Sequence, residues 1–286
     1  MIIHSNISPL PFYASLEQQH HRRKYTYGQV LPVISEVTRL LPFQFIIDTS
    51  EESFFNDDFN DDFYKGDDAT PVAITKVLVH TLDDSASPID ITKAALPAGL
   101  KASNIGHGQI LVLNPGNQLG PYLPKSLLYL SIELGSLGTV YSDVFAPCAN
   151  VSDFMLLEYR SSHDLDMPRG YIDFSNEFTF RNYIDAELGK PEYAFEEEAT
   201  ARMGYTFIES QVSKKIYKFV FPGTEETCDA LRIVRLCDSK RLTTNYKSYA
   251  PITFSMSANW EDQGDIASIE CEFEVDNVIQ TIGNLK

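Results

Sequence analysis

The segment Ile269–Asp276 alternates without a break. Ile269, Cys271, Phe273 and Val275 occupy one set of positions; Glu270, Glu272, Glu274 and Asp276 occupy the other. A strand turns successive side chains to opposite faces, so a period of two gives one apolar face and one acidic face. The segment predicts a half-buried strand whose apolar row meets a core. Its acidic row is expected to meet either water or another subunit, which makes Glu270, Glu272 and Glu274 candidate interface residues.

The rest of the chain leans the same way. Aromatic residues are frequent, with 18 Phe and 15 Tyr in 286 residues, and aromatic and β-branched side chains favour strands. That length suits about two domains. Short strands are readable at 43–47, 72–80, 108–113, 127–134 and 139–145, with turn formers at 83–85, 114–117 and 135–138. Many short strands with such punctuation predict a β-sandwich of the immunoglobulin or fibronectin III kind over 39–148. The last pair reads as a hairpin through Gly135–Gly138, and Pro147 is expected to stop pairing and mark a boundary. Residues 149–286 continue with strands at 154–159, 170–174, 177–184, 212–221, 252–256 and 266–275. One helix is expected from Thr224 to Asp238, with Glu225 and Glu226 in its first turn and Ala230, Leu231, Val234 and Cys237 as its apolar stripe. The predicted fold class is mainly β: two β-sandwich or barrel-like domains, the second with one packed α-helix.

Residues 1–38 read as an N-terminal arm. It carries the one basic cluster, His20, His21, Arg22, Arg23 and Lys24. Arg22 and Arg23 are candidates for tethering an acidic neighbouring copy. The chain supplies such a partner, because 23 Lys plus Arg against 40 Asp plus Glu leave a formal net charge of −17. Nucleic-acid backbones need clustered cations, and anionic lipid surfaces repel anions, so neither nucleic acid nor membrane is expected as a partner.

The acidic-aromatic segment Glu51–Asp68 is the best candidate metal loop. Asp58, Asn60 and Asp62 carry oxygens at alternate positions, but Phe63 stands where a calcium loop needs Gly and Ala69 where it needs a bidentate Glu. The same segment also reads as an assembly loop, with Phe54, Phe55, Phe59, Phe63 and Tyr64 as anchors inside a charged rim. Other chemistry is thin. Cys148, Cys228, Cys237 and Cys271 show no CxxC spacing, which argues against a disulfide framework or zinc. Ser162, His163 and Asp164 are adjacent, whereas a catalytic triad converges from separate elements. Glu196–Glu198 could supply a carboxylate pair but reads as a solvated run, and Trp260 as a core or interface aromatic. No signal peptide and no membrane-spanning run are evident. No catalytic residue and no cofactor are expected.

The order of several motifs carries a family resemblance. Gly170–Phe174 is followed by Tyr183–Tyr193, Glu196–Glu198, Gln211–Phe219, Cys228–Leu236 and Trp260–Ser268. From about Val140 onward the chain resembles virion proteins of tailed phages and prophages of Bacteroidetes, including crAss-like phages. The resemblance implies a structural role in the tail, neck or ring of the particle, assembled in the bacterial host cytoplasm. Expected partners are copies of itself and other virion proteins. A carbohydrate-binding tail component that touches host glycans is the alternative, and a glycan-cleaving enzyme a third reading. The resemblance carries over no catalytic residues.

Overall fold

A computed structural model describes residues 2–4, 8–25, 31–49, 70–83, 86–106, 108–167, 170–202, 204–260 and 265–281. The side chains of 21–25, 167, 170, 200–202, 205–207, 209 and 276–281 lie outside the description. The protein is mainly β. The strands in the first half are β1 (Ile2–His4), β2 (Phe12–Tyr13), β3 (Val33–Glu36), β4 (Phe43–Asp48), β5 (Thr70–Val72), β6 (Lys76–Thr81) and β7 (Ile89–Asp90). They continue with β8 (Lys101–Gly106), β9 (Gln109–Asn114), β10 (Leu128–Glu133), β11 (Thr139–Ser142) and β12 (Phe145–Cys148). The second half holds β13 (Met155–Arg160), β14 (Leu165–Met167), β15 (Gly170–Ile172), β16 (Phe180–Ile184), β17 (Glu192–Arg202) and β18 (Tyr205–Gly223). After helix α3 come β19 (Ser239–Thr243), β20 (Ser248–Tyr249), β21 (Thr253–Trp260) and β22 (Ala267–Thr281). The helices are α1 (Leu16–Tyr25), α2 (Thr92–Ala95) and α3 (Glu225–Val234).

One 11-stranded sheet takes strands from both halves of the chain, in the order β2-β11-β10-β12-β3-β16-β13-β19-β20, with β6 on β10 and β7 on β6. A five-stranded sheet, β1-β4-β9-β8-β5, covers its first half. The core between them contains Phe43, Phe45, Val77, Val79, Val112, Leu128, Leu130, Ile132 and Phe145. A four-stranded sheet, β17-β18-β22-β21, covers the second half. That second core contains Leu157, Tyr159, Phe180, Phe219, Ile269, Cys271 and Phe273, with Leu231, Ile233 and Val234 of α3. Register places both cores on one face of the long sheet. Phe145 pairs with Val33, and Ala146 with Ile34, which in turn opposes Tyr183. Phe180 and Ile184 point away from Tyr183, hence to the side of Val33 and Phe145.

The seam between the halves is β3. It pairs parallel with β12 and antiparallel with β16. The described residues of 1–38 are thus stitched into the chain's own sheets: β1 lies on β4, β2 on β11 and β3 on β12. The expectation of an arm does not hold for these strands, because short two- to four-residue pairings give no local signal in sequence. Pro147 does not stop pairing either; it opposes Ser35. Val33 N donates to Val144 O and Val37 N to Cys148 O. In that parallel phase the amide position of residue 147 faces away from β3, so the missing N–H removes no bond to it. A second link joins the halves: Gln44 Nε2 donates to Asp173 O at 3.1 Å, and Asp173 N donates to Gln44 Oε1 at 2.8 Å.

The expected hairpin through Gly135–Gly138 is present, with Ile132 opposite Val140. The expected helix is shorter than Thr224–Asp238. Thr224 is its N-cap in a reciprocal pair with Thr227, and the helical run ends at Val234. Helix α1 was not legible. Its sequence, LEQQHHRRKY, has no apolar stripe. It is held by Gln19, fully buried, whose side-chain amide donates to Ser142 O.

Candidate assembly surfaces

The alternating segment 269–276 lies in β22. Ile269, Cys271 and Phe273 are fully buried and Val275 nearly so, while Glu270 is exposed and Glu272 and Glu274 half-buried. The glutamates share the outer face of the four-stranded sheet with Glu192, Glu196 and Glu198 of β17 and with Lys214 and Lys218 of β18, by the alternation of paired registers. The lysines cross-link the strands. Lys218 Nζ lies 3.4 Å from both Glu192 and Glu272. Lys214 Nζ donates to Glu196 Oε1 at 2.5 Å. These hydrogen bonds hold both ammonium groups above their ordinary titration range. Six carboxylates against two ammonium groups leave this face acidic.

Strands β17 and β18 run on past the core. The backbones pair from Glu192↔Ile216 to Arg202↔Tyr205. Eleven residues of β17 at about 3.3 Å each make a ribbon of about 35 Å. Far along it, β22 adds a third strand as far as Ser210↔Thr281. No side chain described between Glu192 and Ile216 is buried. Tyr193 and Phe195 are 62% and 63% exposed, and Ile208 39%. Lys215 lies over both the Tyr193 and Tyr217 rings, at 5.9 and 5.6 Å, and so connects the ribbon to the core aromatics. Gly204 takes φ +85° at the hairpin tip, a conformation that glycine adopts without strain. Strand β17 is the sheet edge, and β18 is its only partner among the described residues.

The outward face of the long sheet carries a polar spine that sequence reading missed. Glu158, nearly buried in the middle of β13, stands between Arg181 of β16 and Arg241 of β19. Arg181 Nε donates to Glu158 Oε1 at 3.2 Å; Arg241 reaches Oε2 with Nε at 2.8 Å and Nη2 at 2.6 Å. Farther along, Tyr183 OH donates to Glu36 Oε1 at 2.8 Å, and Arg39 Nε lies 2.9 Å from Glu36. Burial, then the bond to Glu36, push the Tyr183 phenol well above its usual range, so it stays a donor. A cleft of about 530 Å³ opens here, lined by Glu158, Arg160, Arg181, Lys240, Arg241 and Ser248 among others. A charged residue inside the apolar run MLLEYR was the one signal that could have pointed to it.

The remaining sequence candidates fall apart or lie elsewhere. Phe54, Phe55, Phe59, Phe63 and the oxygens of Asp58, Asn60 and Asp62 lie outside the described residues, as do the side chains of Arg22 and Arg23 on α1. Ser162 donates through its amide to Asp238 at 2.9 Å and also through its hydroxyl. Asp164 instead accepts from Phe174 N at 2.7 Å. Glu196, Glu197 and Glu198 engage Lys214, Gln211 and Ser210 along an exposed strand, with Glu197 on the opposite face from the other two. Trp260 is 43% exposed at the end of β21. Burial pushes the Cys228 thiol up to about 11 and the Cys237 thiol up to about 12, so both stay protonated at neutral pH. Among the described residues no three His, Cys, Asp or Glu side chains gather as a metal site requires, and no helix is long and apolar enough to cross a membrane.

No family model matches the sequence, and no curated protein matches it. A solved chain, from the tail of an empty GTA particle with C6 symmetry, is 14% identical and aligns over 48% of this chain and 100% of its own length, with a TM-score of 0.21. At that score a common fold is not demonstrated.

Proposed function

We propose that this chain is a structural protein of a phage-type virion, part of the tail, neck or ring, and that it acts by oligomerising rather than by catalysis. The observation that carries the reading is the ribbon of β17 and β18. A regular element of about 35 Å that buries none of its described side chains adds little to the stability of its own chain. Its open edge and exposed Tyr193, Phe195 and Ile208 are what a neighbouring subunit would cover. The motif order of residues 140–268 supplies the virion setting. Its partners are copies of itself and other virion proteins, with no role for nucleic acid or membrane, and its place is the particle assembled in the host cytoplasm.

Two measurements test this. Sedimentation velocity of the purified chain should show concentration-dependent oligomers, lost when 194–214 is replaced by a two-residue turn. A chain that stays monomeric at every accessible concentration, or a particle protein inventory that lacks it, would refute the proposal. Tyr193 and Phe195 stand two residues apart on one side of β17, which also suits stacking against a sugar. A glycan array tests that second reading, in which the protein contacts host surface glycans.

A further inference from the structure

We infer that the arginine cleft on the long sheet of one copy receives the acidic ribbon of a second copy, with Arg160, Arg181 and Arg241 meeting Glu196 and Glu198. This rests on the assembly reading above and specifies its contact.

The argument begins with charge. In a chain of net charge −17, the cleft gathers Arg160, Arg181 and Arg241 about the carboxylate of Glu158, while the Lys240 ammonium donates to Cys237 O on the core side. The pairing with Glu158 leaves cationic capacity over. Arg241 is 63% exposed and Arg160 40%, and among the described residues Arg160 pairs with the highly exposed Glu177 at 3.7 Å. Guanidinium groups present several donors in a planar fork suited to carboxylates.

Geometry then names the occupant. The cleft lies on the outward face of the long sheet. The acidic face of β17 lies on the outward face of the four-stranded sheet, across the second core. The two surfaces face away from each other, so one copy cannot satisfy its own cleft. Contact between them is necessarily between copies and heterologous, which closes into a ring or stacks into a tube according to the rotation it imposes. Spacing agrees. Glu196 and Glu198 are two residues apart, hence about 7 Å along the strand. Arg181 and Arg241 flank Glu158 on adjacent strands, about 10 Å apart at the backbone. Side chains of that length converge readily on such a pair.

The test uses the full chain in sedimentation velocity, with Arg160→Glu, Glu198→Lys and both changes in one chain. Both positions are accessible, and circular dichroism confirms that each variant is folded. Each single variant should weaken self-association at least tenfold, as charge reversal at a close pair does. The double variant should restore it, and added salt should weaken the wild type. If wild type oligomerises and the single variants match it, the cleft contact is wrong while the assembly reading stands. Weakened singles without rescue by the double variant also overturn the pairing. A wild type that never associates removes both.

Discussion

Replacing Glu158 by Gln keeps the shape of the side chain and removes its charge. The carboxylate has two acceptor oxygens, one taken by Arg181 at 3.2 Å and the other by Arg241 at 2.8 and 2.6 Å. A carboxamide has one acceptor and one NH₂ group. Whichever way it turns, an NH₂ faces one guanidinium, donor against donor. One arginine pairing is lost outright and the other becomes a bond to a neutral acceptor. A hydrogen bond to a charged group contributes about 1.5–3 kcal/mol when buried. Arg181 is 29% and Arg241 63% exposed, so water compensates part of this. The net expectation is a loss of about 2 kcal/mol. In a chain of this size each kcal/mol moves the thermal midpoint by about 2 °C, so Glu158→Gln should melt about 4 °C lower. Differential scanning calorimetry reads this directly. A double-mutant cycle with Arg241→Met separates the pair from the rest of the spine. An unchanged midpoint for Glu158→Gln would show that the arginines are solvated and the spine contributes no stability.

Three further outcomes follow from the second core and its margins. Phe273→Ala empties a fully buried site stacked at 5.5 Å on Tyr217, and urea unfolding should register about 3–5 kcal/mol. A Cβ at Gly223 would sit 2.3 Å from Ile269 Cδ1, so Gly223→Ala should destabilise by about 1–3 kcal/mol. Adding Ile269→Val, which deletes that methyl, should recover part of the loss; no recovery would place the clash elsewhere. Asp238 is held below the usual carboxylate range by the Ser162 hydroxyl and amide. A depressed folded-state pKa adds stability above the unfolded value of about 3.9 and loses it as pH falls through the folded value. Acid titration below about pH 4 should therefore be steeper for wild type than for Asp238→Asn, and parallel curves would remove Asp238 from the account.

The parts that could be read from sequence are those in which one face is wet and one dry. Residues 269–275 announce their strand because antiparallel sheets with a single buried face impose alternation. Helix α3 shows itself by an acidic first turn and an apolar stripe within a dozen residues. What escaped is long-range. Nothing near Val33–Glu36 indicates that its partners are Phe145–Cys148 and Tyr183, and nothing local to Pro147 reveals the phase of a parallel ladder. Helix α1 shows no apolar stripe, and among its described side chains the buried one is Gln19, which anchors it. The Arg181–Glu158–Arg241 spine is assembled from three strands, so no linear spacing could mark it.

Strand β3 has a consequence for synthesis. Both of its neighbours in the finished sheet, β12 and β16, are translated much later than β3 itself. Until Tyr183 has been translated, Val33–Glu36 cannot be clasped on both sides. The first core can close earlier, because its members end at Phe145. The nascent chain thus waits with one sandwich formed and an unpaired strand edge at its flank, a stage at which two neighbouring nascent chains can exchange edges. Low expression levels, which keep nascent chains apart, should favour the unexchanged fold, and the seam that unites the two halves is secured only after the first core has closed.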